Sequence, residues 1–223
     1  MAEMKKGMTL PGHLIKSRKL VWNLAKNDIR KKFAGSYFGV IWAFVQPVIT
    51  VLLYWFVFEK GLNSKATDLR TGIEIPFVLW LMAGLVPWFY FQEAMNGGTG
   101  VLVEYSYLVK KVVFKVEILP IIKLISCLLV HAFFVVIMFG MYLIIGRMPS
   151  VIWFQLVYYS LAASLLALGI GFFTSAVNVF FKDMAQIVSI CLQFGIWMTP
   201  IMYHEAMFTG AGKWVEVLFK LNP

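Results

Sequence analysis

Long apolar runs separated by short polar breaks set the pattern of this chain. Roughly 20 apolar residues are needed to cross the hydrocarbon core of a bilayer, and five runs reach about that length: residues 37–58, 77–95, 121–145, 152–177 and 184–203. A polar loop, 59–76, separates the first two. Asn96-Gly97-Gly98-Thr99-Gly100 reads as the exit of the second, which Pro87 interrupts. Gly146-Arg147-Met148-Pro149 reads as a tight turn, and Asn178 to Asp183 is too short to be anything else. The pattern predicts an all-α integral membrane protein forming a single transmembrane domain over 1–223.

Three further segments are not spans. Residues 14–33 predict an amphipathic helix lying in the membrane interface. Ile15, Trp22 and Ile29 recur every seven residues, Leu14, Val21, Ala25 and Phe33 widen the stripe, and lysines and arginines fill much of the remaining surface. Residues 104–120, EYSYLVKKVVFKVEILP, are the longest polar interruption in the central region. As a short helix this stretch puts Leu108, Val112 and Lys115 on one side, with Lys110, Lys111 and Phe114 elsewhere. It suits either a surface that grips another protein at the membrane edge or a basic loop held at the headgroups. Residues 204–223 are weakly apolar and amphipathic, interrupted by Lys213, Glu216 and Lys220.

Composition strengthens the membrane assignment: 61% of residues are hydrophobic, 14% are charged and mean hydropathy is +0.79, far outside the soluble range. The net charge of +9 invites a nucleic-acid reading, but its placement speaks for topology instead. Nine of the twenty Lys and Arg precede Ser36, and an N-in topology puts fourteen on the cytoplasmic side against six outside. The positive-inside rule therefore predicts a cytoplasmic N-terminus, with 104–120 facing the cytoplasm. No aromatic-and-basic signature of RNA binding accompanies the charge. Cys127 and Cys191 each lie in an apolar run and read as small core residues.

Candidate chemistry is sparse. Gly7-Met8-Thr9-Leu10-Pro11-Gly12-His13 has the glycine spacing of a phosphate loop but lacks its Lys and Ser or Thr. ATP, with its Mg, must then be handled by another chain, and no cofactor is expected in this one. His131 and Gln193 lie inside spans, where interhelical hydrogen bonding is the favoured role. Gln46-Pro47 should bend the first span, with Gln46 able to satisfy a freed backbone group. Most of the many Trp and Tyr suit interfacial belts. Tyr54, Trp55 and Trp197, toward the outer ends of their spans, are candidates for a channel on whose rings sugars could stack.

Three blocks carry a family resemblance. They are Asp28-Ile29-Arg30-Lys31-Lys32-Phe33-Ala34-Gly35-Ser36-Tyr37-Phe38-Gly39 with Trp42 and Pro47, then Leu108 to Pro120, then Asn178 to Asp183 followed by Leu192-Gln193 and Trp197 to Tyr203. In this order they resemble the permease subunits of type-2 ABC exporters, especially those for polysaccharides, O-antigens and teichoic acids. The resemblance runs from about Trp22 to Pro223. It implies that the second block, through Leu108, Lys110, Lys111, Val112, Phe114, Lys115 and Glu117, is the coupling helix that docks on the ATPase. It implies that the interfacial helix, with Trp22, Asp28, Ile29, Arg30 and Phe33, rests near that subunit. Phe180, Phe181, Lys182 and Asp183 would lie at the second cytoplasmic turn. Where the family usually has Pro after the Phe of the second block, this chain has Lys115, which bears on the bend of the segment and not on its location. The resemblance also implies short external gate helices in 204–223 and a sixth span beyond Pro223.

The expected function is the membrane half of an ATP-driven exporter of a lipid-linked polysaccharide in the bacterial cytoplasmic membrane. Its expected partners are a second copy of the chain, two ABC ATPase subunits, membrane lipid and the lipid-linked glycan, with no nucleic acid. The same machine moving a drug or a lipid is the rival, to be separated by how polar and aromatic the pathway wall is. A secondary transporter is disfavoured by the lack of mid-membrane acids and the odd span count, and a membrane enzyme by the lack of any His/Asp/Glu cluster.

Overall fold

The computed structural model describes residues 18–64, 66–67, 74–107, 116–146 and 151–203. Four helical stretches there are long and apolar enough to cross a bilayer: Gly39–Gly61, Phe77–Glu104, Ile118–Ile144 and Gln155–Phe180. A shorter apolar helix, Met184–Met198, follows. The chain is an all-α integral membrane protein. Helix α1 is Arg18–Lys32. The first span is a 3-10 turn (Gly39–Ile41), α2 (Trp42–Trp55) and a π-helical turn (Phe56–Gly61). The other long helices are α3 (Phe77–Glu104), α4 (Ile118–Ile144) and α5 (Gln155–Phe180), and Met184–Met198 is α6. Two-residue strands, Ala66–Thr67 and Glu74–Ile75, pair antiparallel between α2 and α3.

Helix α3 is the axis of the bundle, packing mainly on α5 and α4, with α6 and α2 against its other sides. It is longer than its hydropathy predicts. The sequence ends the second span near Met95, yet the helix continues through Asn96-Gly97-Gly98-Thr99-Gly100 to Glu104. Gly97 and Gly98 are sites of close approach and not a break. A Cβ on Gly98 would lie 3.7 Å from Gly171 Cα of α5, and a Cβ on Gly97 would meet Lys123 Cε of α4 at 2.6 Å. Where two backbones come this near, hydroxyls can bridge them, as Thr99 and Thr174 do at 2.8 Å. The Thr99 hydroxyl is also 2.8 Å from the Met95 carbonyl. Inside a bilayer such contacts hold helices together because lipid tails are as apolar as leucine.

The other elements also depart from their expected bounds for local reasons. Helix α4 starts at Ile118, before the expected Ile121, with Glu117 at its N-cap position and Pro120 in the first turn. Backbone N–H groups there have no helical partner, so proline is tolerated. Helix α5 is shifted three residues toward the C-terminus of the expected span. In α2, beside Pro47, the Thr50 hydroxyl donates to the Gln46 carbonyl at 3.0 Å.

The fifth expected span is cut short. Helix α6 covers Met184–Met198 and not 184–203, about 22 Å at 1.5 Å per residue, against a hydrocarbon core of about 30 Å. Thr199, held extended by the following Pro200, ends it and donates its hydroxyl to the Gly195 carbonyl at 2.9 Å. The chain then folds back: Ile201 is buried on Gly84, and the Tyr203 hydroxyl donates to the Trp197 carbonyl. Cys127 is buried, whereas Cys191, also expected in the core, is exposed. The expected gate segment, 204–223, lies outside the described residues.

This packing separates glycines by what surrounds them. A Cβ on Gly84 would meet Ile201 Cγ2 at 2.7 Å, while one on Gly169 would meet nothing within 4 Å. Gly84→Ala is expected to destabilise the chain by about 1–3 kcal/mol through overpacking. Gly169→Ala should be neutral or stabilise by up to about 1 kcal/mol through helix propensity. Thermal unfolding of the detergent-solubilised variants checks the contrast.

Candidate functional site

Two features gather the polar side chains of the bundle, and both lie where α1 meets the spans. The first is a charge cluster. Helix α1 does not lie on the bundle by its hydrophobic stripe alone: Val21, Ala25 and Asp28 are its buried residues. Val21 and Ala25 pack with Val101, Ile118, Leu119 and Ile122. Asp28, only 4% exposed, receives the Lys123 ammonium at 3.1 Å and the Tyr105 hydroxyl at 2.7 Å. Burial and the bond to Asp28 push the Tyr105 phenol up, which keeps it a donor. Lys123 also reaches Glu104 at 3.3 Å. Lys31 lies over the Tyr105 ring at 4.6 Å. Trp22, expected in the apolar stripe, is instead 44% exposed under Lys26, and Arg30 is exposed.

The second feature is a cavity of about 530 Å³ walled by α2, α3, α4 and α6, with the end of α1 closing one side through Asp28, Ile29, Lys32 and Phe33. Its polar lining comes from Gln46, Gln92, Glu93, Asn96, His131 and Gln193, and rings of Tyr54, Phe89, Tyr90 and Trp197 face it as well. Helix α3 supplies Gln92, Glu93 and Asn96 at the i, i+1, i+4 spacing of one helix face. At the α1 side Glu93 pairs with Lys32 at 2.6 Å, both about half exposed. Deeper in, His131 stacks on Tyr90 with ring centroids 4.6 Å apart. Each then bonds a serine of α5: His131 Nε2 to Ser160 at 3.1 Å, and the Tyr90 hydroxyl to Ser164 at 2.5 Å. The interhelical bond expected of His131 is thus made to a hydroxyl.

The candidate channel residues divide. Tyr54 and Trp197 line the cavity. Trp55 points into the packing around Phe77 and Leu81, donates Nε1 to Glu59 at 2.6 Å and carries Lys60 over its ring. Gln92, Glu93 and Asn96 were not singled out in the sequence. Their signal was present as three polar residues on one face of an apolar helix.

The turn between α5 and α6 presents Phe180 (92% exposed), Phe181, Lys182 and Asp183 outward. Asn178 fixes it: its amide donates to the Thr99 carbonyl at 3.1 Å, and its carbonyl oxygen accepts from the Ala185 N–H at 3.3 Å. Of the expected coupling residues, Glu117 lies just before α4 and is exposed. Leu108, Lys110, Lys111, Val112, Phe114 and Lys115 lie outside the described residues.

Membrane-crossing helices enclosing a polar and aromatic cavity define a multi-pass transport protein. Residues 19–223 match the family described as ABC-2 type transporter, and the chain belongs to that family. Membership implies partnership with an ABC ATPase. The chain is similar to the O-antigen export system permease protein RfbA of Myxococcus xanthus, 25% identical over 192 residues that cover 85% of this chain and 70% of that one. It is also similar to RfbA of Klebsiella pneumoniae, 23% identical over 194 residues covering 86% and 71%.

The two acid–base pairs of α1 differ in burial and should differ in cost. Breaking a buried pair from one side costs about 3–5 kcal/mol, whereas an exposed pair contributes about 0–1 kcal/mol. Lys123→Ala is therefore expected to lower the unfolding temperature sharply, and Lys32→Ala to leave it nearly unchanged, in thermal melts of the purified chain.

Proposed function

We propose that this chain is the membrane-spanning permease subunit of an ATP-driven exporter of a lipid-linked polysaccharide, of the O-antigen, capsule or teichoic-acid type. The observation that carries the reading is the cavity, whose amide, imidazole and aromatic lining offers hydrogen bonds to hydroxyls and faces for sugar rings. The similarity to permeases named for O-antigen export points to the same class of cargo. Two copies form the pathway between them and two ABC ATPase subunits sit below, holding ATP and Mg, so that this chain carries no nucleotide. The N-terminus and the 104–120 segment face the cytoplasm, and the membrane is the bacterial cytoplasmic (inner) membrane.

Coupling follows from mechanics. Leu108 to Glu117 seats in a groove of the ATPase, with Phe114 as its apolar anchor, and the Phe180–Asp183 turn is a second contact. ATP-driven motion of the ATPase then moves α3 and α4, which carry half of the cavity wall. A drug or lipid pump is the second reading, and the polar side chains of Gln46, Gln92, Asn96 and Gln193 favour the glycan over it.

Copurification of an ABC ATPase with the chain, together with loss of surface glycan when the chain is deleted, is the expected result. Nucleotide binding by the chain alone would refute the assignment. In pull-downs, Phe114→Ala should weaken ATPase association about thirtyfold, the equivalent of ~2 kcal/mol for a central anchor. Lys110→Ala should mainly change the salt dependence. In export assays, Tyr54→Ala and Trp197→Ala should reduce glycan at the surface without loss of the protein from the membrane, and Trp55→Ala should act only through stability.

A further inference from the structure

Lys123 stands in the second turn of an apolar helix, yet it is buried, only 7% exposed. It faces Asp28 of α1 at 3.1 Å and Glu104, the last residue of α3, at 3.3 Å. Its stem runs in a groove cut by Gly97, where a Cβ would sit 3.0 Å from Lys123 Cγ and 2.6 Å from Cε. One turn further on, the Ser126 hydroxyl donates to the Ala25 carbonyl of α1 at 3.0 Å. Three segments therefore meet on one ammonium: the interfacial helix, the end of α3 and the beginning of α4. The last two are the flanks of residues 108–115.

A buried ion pair is a poor device for stability, since apolar replacements of similar volume are often as stable. What it supplies is a defined mutual placement of the segments that own the charges, because each charge left alone is costly. We propose that Lys123 is a positioning residue of the transport cycle. It fixes α1 to both flanks of the 108–115 segment, so that all three shift as one body when that segment is driven. The proposal rests on the reading above that 104–120 contacts the ATPase. Helix α1 also closes one side of the cavity, so while it is fixed to α3 and α4 that side moves with them against α2 and α6, whereas a free α1 would lag behind and the driven motion would not carry that side of the mouth.

Two variants and two readouts test this on the full chain. Lys123→Met keeps the length of the stem and removes the charge; Asp28→Asn/Lys123→Met also removes the buried carboxylate and serves if the single variant does not fold. The first readout is hydrogen exchange of the α1 backbone in the purified permease without its ATPase, expected to speed up at least about tenfold as α1 undocks. The second is transport per ATP hydrolysed in vesicles with the copurifying ATPase and a polyprenyl-diphosphate-linked oligosaccharide as probe. It is expected to fall at least about fivefold, the lower end of usual coupling between sites, while ATPase activity of Lys123→Met without the probe stays within about twofold of the parent. Unchanged α1 exchange in a folded variant overturns the proposal. So does faster exchange with transport per ATP intact. If the parent chain binds no ATPase, the exporter reading fails, and the exchange measurement still decides whether Lys123 holds α1.

Discussion

The close approach of α3 and α5 at Gly98 and Gly171 is the constraint on which the rest of the bundle depends. Apolar side chains gain little by leaving lipid for one another, so helices in a bilayer associate through dense contact and hydrogen bonds. Here the backbones approach closely enough for Thr99 to bond Thr174 and for Asn178 to reach the Thr99 carbonyl. That contact fixes the axis against which α4 lays Lys123 in the Gly97 groove, and on which α1 then docks. The exposed Phe180 turn hangs from the same point through Asn178. The last third of α3 thereby supports both the docked α1 and the exposed turn.

The cavity draws on the opposite property of the same helix. Away from the glycines, α3 turns Gln92, Glu93 and Asn96 toward α2 and α6. There the neighbours stand off and leave room, and their own side chains, Gln46, Tyr54, Gln193 and Trp197, complete a lining of amides and rings. Close packing on one side and a polar gap on the other follow from where one helix carries glycine and where it carries amides.

Much of this was legible in the sequence, because hydropathy reports burial in lipid directly. The membrane helices start within a turn of where the apolar runs put them, and α1 falls inside the expected 14–33, although α3 runs nine residues past its expected end and α6 stops five short. What escaped depended on partners distant in the chain. Nothing in the sequence pairs Asp28 with Lys123, 95 residues away, until the fold brings them together. Asn96 to Gly100 reads as a break because glycine is a weak helix former, and only the neighbouring α4 and α5 turn it into a contact. Trp55 and Tyr54 are indistinguishable by hydropathy, yet one helix step sends Trp55 to Glu59 and Tyr54 to the cavity. The shortness of α6 was signalled by Pro200, but an apolar run continuing to Tyr203 outweighed it.

The fit of Lys123 into the notch at Gly97 also constrains how this chain can change over generations. With the ammonium tethered at its far end, the stem cannot swing aside, so a methyl group at residue 97 has no room while lysine occupies 123. A shorter residue at 123 opens that room but strands the carboxylate of Asp28. Positions 28, 97 and 123 therefore form an epistatic triplet in which a single exchange is penalised and matched exchanges are accepted. A mutagenesis library that varies these three codons together would reach sequences that stepwise selection could not, and paired changes among descendants would record the contact without a structure.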